Sequence, residues 1–263
     1  MITQLLQGRM RVFVVLAFAK ALLLSTSCKT ETYTLEKTVY QQEQIDSTEA
    51  TVSTFERFIA PYKERLDQEM NDPLSFNPAA MYKNDTPLNT RLGNLMAGIV
   101  REQATAVVKS RTGNDIDMVL LNHGGIRAGI DAGYVTTRTA YEVMPFDNEI
   151  VVAQLQPQQM RELVAYLVER KKAHPIDGLK ITMDGDTAIE ILLDGKPIAY
   201  DRDYYVATSD YLLTGGDNME FFTKAVASYK TDYKIRNAMI DYFKMTDTLG
   251  YKADDRFAQK NTP

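Results

Sequence analysis

The 263 residues are 44% hydrophobic and 25% charged, enough apolar material for one substantial core and a default count of one domain. The formal net charge is −5 and no long run of Lys and Arg occurs, which argues against nucleic acid as a partner. The single cysteine, Cys28, excludes an internal disulfide.

Residues 1–27 hold Arg9, Arg11 and Lys20 and no acid, and an apolar stretch over 12–24 is interrupted only by Lys20. This pattern predicts a secretory signal peptide. A membrane-spanning helix needs about 20 apolar residues. Here a shorter run ends at once in polar Ser25-Thr26-Ser27. Met10-Arg11 with the same run would already make a complete short signal. Cys28 stands directly behind Leu24-Ser25-Thr26-Ser27. It is either a cysteine that happens to lie beside a cleavage site or a thiol that is lipidated and becomes the mature N-terminus. The position resembles a bacterial lipobox with its leucine one place further out, and lipidation of Cys28 is the expectation carried forward. Loss of 1–27 removes three positive charges and takes the chain from −5 to −8, a balance suited to solubility and not to anionic lipid.

Residues 28–55 are rich in Thr, Glu and Gln and read as a tether, with room for one short strand around Tyr33 to Tyr40. The folded domain is expected over 56–250, followed by a polar tail over 251–263. A helix is predicted over 52–70, then a turn at Asn71-Asp72-Pro73. Leu92, Leu95, Met96, Ile99, Val100, Ala104 and Val107 recur at helical spacing, and that helix ends near Thr112-Gly113-Asn114. Residues 117–122 form a short apolar run bounded by turn formers, which suits a strand buried on both faces. A strand over 149–155 and a helix carrying Met160, Leu163, Val164, Leu167 and Val168 follow. Apolar runs at 179–183, 188–193, 196–199 and 204–208 are separated by Asp184-Gly185-Asp186 and Asp194-Gly195, strong hairpin signals. Helices are predicted over 218–228 and 234–243. Strands and helices without strict βαβ alternation point to an α+β domain with a mixed sheet and flanking helices.

Three stretches place glycine or proline beside polar and aromatic side chains where no helix or strand needs them. In Asn122-His123-Gly124-Gly125-Ile126-Arg127, Gly124 and Gly125 let the backbone approach a ligand and leave N–H groups free, with Asn122 and Arg127 reaching in from either side. In Met144-Pro145-Phe146-Asp147-Asn148, Phe146 is either a core ring or a ring held at a loop edge. In Asp210-Tyr211-Leu212-Leu213-Thr214-Gly215-Gly216-Asp217, Asp217 either caps the helix that follows or accepts hydrogen bonds from a vicinal diol such as ribose.

In this order and spacing the three stretches, with Arg91-Leu92-Gly93-Asn94-Leu95, closely resemble the C-terminal domain of the 5′-nucleotidases over residues 52–230. The resemblance implies that Phe146 and Tyr211 sandwich a base, that Asn122 contacts it, that Arg127 faces the phosphates and that Asp217 holds the ribose hydroxyls. Stacking on aromatic faces tolerates different bases. Two positions depart from the family pattern. Leu88 stands where relatives usually carry an arginine, leaving Arg91 as the nearby cation. Asn218 stands where glycine often follows Gly-Gly-Asp.

A full 5′-nucleotidase also has a metallophosphoesterase domain whose His, Asp and Asn side chains bind two metal ions. This sequence has two histidines, His123 and His174. His123 follows Asn122 as in such metal sites, but Gly124 stands where the acid is expected, and two histidines without acid-rich loops do not assemble a dinuclear centre. No Gly-x-Ser-x-Gly elbow occurs, and Ser209-Asp210 has no nearby histidine. Asp184 and Asp186 read as an ordinary turn. No catalytic residue, metal ligand or cofactor is therefore assigned to this chain, and divalent metals are expected on a separate metallophosphoesterase chain. The leading expectation is the nucleotide- or nucleoside-recognising half of a secreted 5′-nucleotidase, held in a bacterial cell envelope by a lipid at the periplasmic or outer surface. The alternatives are a non-catalytic nucleoside-binding lipoprotein and a scaffold with a relic pocket.

Overall fold

The computed structural model describes residues 33–43 and 52–260. The expected signal peptide over 1–27 and Cys28 lie outside the described residues. The chain divides into two units, residues 1–52 and 53–263. In the first, residues 33–43 are exposed and carry no helix or strand, so the strand expected around Tyr33 to Tyr40 is not formed. That stretch has too few apolar side chains to repay ordering its backbone.

The second unit is built on a five-stranded mixed sheet. Its strands are β2 (Met118–Leu120), β4 (Glu149–Leu155), β5 (Ile176–Asp177), β9 (Tyr204–Ser209) and β10 (Ala227–Lys234), in the order β10-β4-β9-β2-β5. The β2/β9 pair is parallel, and β4 runs antiparallel to both β9 and β10. Successive side chains point to opposite faces, so Val119, Val152 and Ala207 enter one apolar core, while Met118, Leu120, Ala153 and Val206 enter another. This two-sided burial is why β2 reads as an unbroken apolar run.

The one-turn α5 (Asp210–Leu213) follows β9, and helices α2 (Arg91–Thr112) and α6 (Ile235–Met245) cover the first face. Leu92, Leu95, Ile99, Met239 and Phe243 are fully buried there. The Thr90 hydroxyl accepts from Gly93 N–H at 3.1 Å to start α2, and Gly113, at φ 74°, ends it in the left-handed conformation that glycine adopts freely. The second face packs on α4 (Pro157–Arg170) and on a four-stranded sheet of β6 (Leu179–Asp184), β7 (Thr187–Leu193), β8 (Lys196–Pro197) and β11 (Phe257–Gln259). The two Asp-Gly turns join these hairpins as expected, with Gly185 at φ 60° and Gly195 at φ 76°. Helix α1 (Ser53–Asn71) buries none of its side chains. Among the described residues no helix is long and apolar enough to cross a membrane.

The fold differs from expectation in three places. Strand β1 (Pro73–Asn77), where only the turn Asn71-Asp72-Pro73 was expected, pairs antiparallel with the equally unexpected β3 (Gly133–Thr136), which leads into the short helix α3 (Thr137–Val143). The helix predicted over 218–228 is a 3-10 turn, Glu220–Lys224, running into edge strand β10. In β10 Tyr229 and Thr231 turn inward while Ser228, Lys230 and Asp232 are exposed, a polar period-two pattern that carries little hydrophobic signal. Of the segment read as a polar tail over 251–263, the described part belongs to the fold: Phe257 is buried, and β11 pairs parallel with β6 from Ile181 to Met183. One large apolar residue in a three-residue strand is too short a pattern to detect.

If that segment completes the second core, Phe257→Ala should cost about 3–5 kcal/mol of unfolding free energy in urea titrations followed by circular dichroism. A change within about 0.5 kcal/mol would show that the strand contributes nothing to the fold.

Candidate functional site

The sheet's topology decides where loops can meet. Parallel β2 and β9 end on the same edge, and antiparallel β4 begins there, with Ile150 opposite Ser209. The three glycine- and proline-containing stretches are the loops after β2, before β4 and after β9. They surround a cleft of about 330 Å³ lined by Asn122, Gly124, Gly125, Arg127, Phe146, Asn148, Tyr211 and Asp217. Ligands of open sheets bind at such carboxyl-end crevices.

One hydrogen bond ties the first loop to the third: Asn122 Nδ2 donates to Asp217 Oδ2 at 2.7 Å. The Tyr211 hydroxyl donates to Asp217 Oδ1 and accepts the Asp217 N–H, each at 3.2 Å. The Tyr166 hydroxyl donates to the Asp217 carbonyl at 2.9 Å. These contacts hold Asp217 at φ 54°, a left-handed conformation that asparagine and aspartate tolerate better than most side chains. Asp217 therefore caps no helix. Its carboxylate is an acceptor pair facing the cleft.

The glycines permit close packing. A Cβ on Gly125 would stand 2.8 Å from Asn122 Oδ1, and one on Gly216 only 2.4 Å from the Tyr211 ring. Phe146 and Tyr211 are 41% and 43% exposed, so neither is a core ring, and both line the cleft. The exposed Arg127 guanidinium sits 5.9 Å from the Phe146 ring centroid. Two aromatic rings, one cation and one carboxylate can bind a flat ring that carries hydroxyls at one end and an anion at the other. They supply no nucleophile and no general acid–base pair.

Arg91 is not part of this cleft. It starts α2, donates to the Ala80 carbonyl and lies 3.8 Å from Asp85, so it braces the preceding loop. The histidines also serve structure. His174 Nδ1 accepts the His123 N–H at 3.2 Å, and His123 Nδ1 lies 3.2 Å from the Ala173 carbonyl, which can only accept. Each imidazole thus spends one nitrogen on supporting the Gly-Gly loop. Burial, with His123 adding to it, pushes the His174 pKa from the ordinary 6.5 down to about 4. Among the described residues no three His, Cys, Asp or Glu side chains are grouped to hold a metal ion.

Sequence reasoning missed Asn148, Tyr166 and Arg236. Asn148 completes the lining, Tyr166 holds Asp217, and Arg236 bonds to the loop that presents Phe146. Arg236 had left a trace, because it lies at helical spacing with Met239, Ile240 and Phe243 on an apolar stripe.

Residues 71–224, more than half of the chain, match the family described as 5′-nucleotidase, C-terminal domain. The chain belongs to that family. It is 28% identical over 203 residues to the trifunctional nucleotide phosphoesterase protein YfkN of Bacillus subtilis, covering 72% of this chain and 13% of that protein. It is 20% identical over 217 residues to a 5′-nucleotidase of Vibrio parahaemolyticus, covering 78% of this chain and 36% of the relative. The crystal structure of a 5′-nucleotidase precursor from Thermus thermophilus superposes with a TM-score of 0.65 at 20% identity, over 80% of this chain and 44% of that one. The Haemophilus influenzae NAD nucleotidase gives a TM-score of 0.60 at 16% identity, over 80% and 42%. The chain thus spans a minor part of each relative's length, and the family's C-terminal fold is what the likeness shows.

The buried His174 gives this domain a pH signature. An unfolded chain binds the proton near pH 6.5 and the folded one only near 4, so stability should fall as the pH drops through that window. His174→Gln should flatten that part of a plot of urea midpoint against pH. An identical slope in the variant would remove His174 as its cause.

Proposed function

We propose that this chain is the nucleotide- or nucleoside-recognising half of a secreted 5′-nucleotidase, and that a separate metallophosphoesterase chain supplies the divalent metals and the phosphoester hydrolysis. The observation that carries the reading is the Asn122–Asp217 hydrogen bond, which joins two loops so that Phe146, Tyr211 and Asp217 face one cleft with Arg127 at its edge. In this reading the base stacks between Phe146 and Tyr211 and meets Asn122. The ribose hydroxyls donate to Asp217, whose two oxygens can take both members of a vicinal diol. Arg127 faces the phosphates, where a guanidinium fork suits phosphate oxygens. Gly124 and Gly125 keep the backbone low enough for the ligand to reach Asn122. Arg91 takes no part in it.

Membership of a nucleotidase family supports the substrate class. The metals are assigned to another chain in this reading because, among the described residues, no three His, Cys, Asp or Glu side chains are grouped to hold an ion. Helix α1 adds to this: Phe55, Phe58, Tyr62 and Leu66 are each more than half exposed, the kind of apolar surface that marks contact with another protein. Lipidation at Cys28 after removal of 1–27 would hold the domain at a bacterial envelope surface and fits the polar segment behind that cysteine.

Calorimetry with AMP, adenosine and UDP-glucose tests recognition. Phe146→Ala and Tyr211→Ala should each cost about 1–3 kcal/mol, roughly a five- to 150-fold rise in Kd. Failure of all three ligands to bind, or unchanged affinity in the double variant, would overturn the pocket reading. Catalysis is tested by phosphate release from AMP with Zn²⁺ or Mn²⁺. It should appear only when this chain is mixed with a metallophosphoesterase chain encoded beside it that lacks a C-terminal domain of its own. Release by this chain alone would refute the division of labour. Binding without release in the mixture would leave an envelope nucleoside receptor.

A further inference from the structure

The loop that presents Phe146 is anchored in the core only at its start, by buried Met144, while Pro145, Phe146 and Asp147 are exposed. Its support comes from the start of α6. Arg236 is 6% exposed, and its Nη1 donates to the carbonyl oxygens of Pro145 at 2.8 Å, Phe146 at 3.2 Å and Met144 at 3.4 Å. Its Nη2 pairs with the Asp147 carboxylate, and its Cζ lies 4.1 Å from the centroid of the Tyr141 ring. The flanking residues reinforce this grip: Lys234 Nζ lies 2.8 Å from Asp147 Oδ2, and Ile235 N–H donates to the Asn148 carbonyl at 3.0 Å. One planar group therefore takes three consecutive carbonyls and a counter-charge, an arrangement that the single point charge of lysine does not reproduce.

We propose that Arg236 is the positioning residue for Phe146, holding the backbone of 144–147 so that the ring already stands at the cleft before a ligand arrives. The proposal rests on the reading of Phe146 as a base-stacking ring. A buried arginine is expensive to maintain unless it is paired, and here every bond made by Nη1 and Nη2 goes to this one loop, while Nε has no partner among the described residues. Fixing the loop in advance removes an ordering cost that the ligand would otherwise bear, so the benefit appears as affinity. Arg236 touches no ligand in this scheme and acts only through Phe146.

The sequence contains no tryptophan, so Phe146→Trp introduces a unique fluorophore at the loop tip. In the ligand-free full chain, adding Arg236→Met to Phe146→Trp should lower the indole anisotropy and increase its quenching by acrylamide. Arg236→Lys should fall between the two. In the Phe146 parent, Arg236→Met should weaken adenosine binding by about five-fold or more, the lower end of what one stacked base contributes. In a Phe146→Ala background the same change should alter Kd by less than about two-fold, because coupled residues are not additive. Unchanged anisotropy, or equal weakening in both backgrounds, would overturn the proposal. Should Arg236→Met fail to fold, Arg236→Lys and Asp147→Ala are read against the same criteria. If wild-type protein does not bind adenosine, the functional reading fails, while the ligand-free anisotropy still decides whether Arg236 positions the ring.

Discussion

The parallel pairing of β2 with β9, flanked by antiparallel β4, is the constraint on which the rest of the molecule depends. It brings segments about 90 residues apart in the chain to one sheet edge and gives them a shared direction. Each of the three strands is buried on both faces, so none can slip by one residue without moving its side chains into the wrong core. Register is therefore set by packing, and the loops at the strand ends inherit positions fixed to within a side chain. A binding cleft needs that precision, and loops alone cannot provide it.

The cleft residues are held in place by bonds to one another. Asp217 already satisfies its carboxylate with Asn122 and Tyr211, so a diol would replace existing bonds rather than hydrate a naked charge. Each loop also has a brace behind it: His174 under the Gly-Gly turn, Tyr166 behind Asp217 and Arg236 behind Phe146. These braces come from α4, the loop after it and α6, and none is in the stretches that line the cleft. The side chains of Arg127, Phe146 and Tyr211 at the cleft are exposed, while the supporting His174 and Arg236 are buried. That division lets the rim vary in chemistry without loosening the frame.

The histidines are poor material for a metal centre because they stand without further ligands: among the described residues no three His, Cys, Asp or Glu side chains are grouped to hold an ion. A ligating imidazole must offer a free nitrogen lone pair toward the ion. His174 gives its Nδ1 lone pair to the His123 N–H. His123 sets its Nδ1 against the Ala173 carbonyl, which leaves only Nε2 to face outward. Their proximity to Asn122 is a product of loop support. The proposed division of labour assigns recognition to this domain and the electrophilic chemistry to other residues.

Much of this was readable in residue order. The strands over 149–155 and 204–209, the helices α2 and α4 and the two Asp-Gly hairpins follow from long or strongly periodic apolar patterns and from turn chemistry that acts within a few residues. The lining residues Asn122, Gly124, Gly125, Arg127, Phe146, Tyr211 and Asp217 were also recognisable, but local pattern marked only the glycine-bearing stretches, and for Phe146, Tyr211 and Asp217 the family resemblance decided between core ring or helix cap and cleft. Folding settled what depends on distant partners. Edge strand β10 and the three-residue β11 form only because β4 and β6 present free edges, and nothing in their own composition demands it. Arg91 turned away from the cleft because Ala80 and Asp85 were nearer acceptors for its charge. Asp217 faced the cleft instead of capping a helix, and Arg236 went beneath a loop some 90 residues away. Periodicity records which side of an element is buried, while the identity of a buried group's partner is fixed only when the sheet brings the segments together.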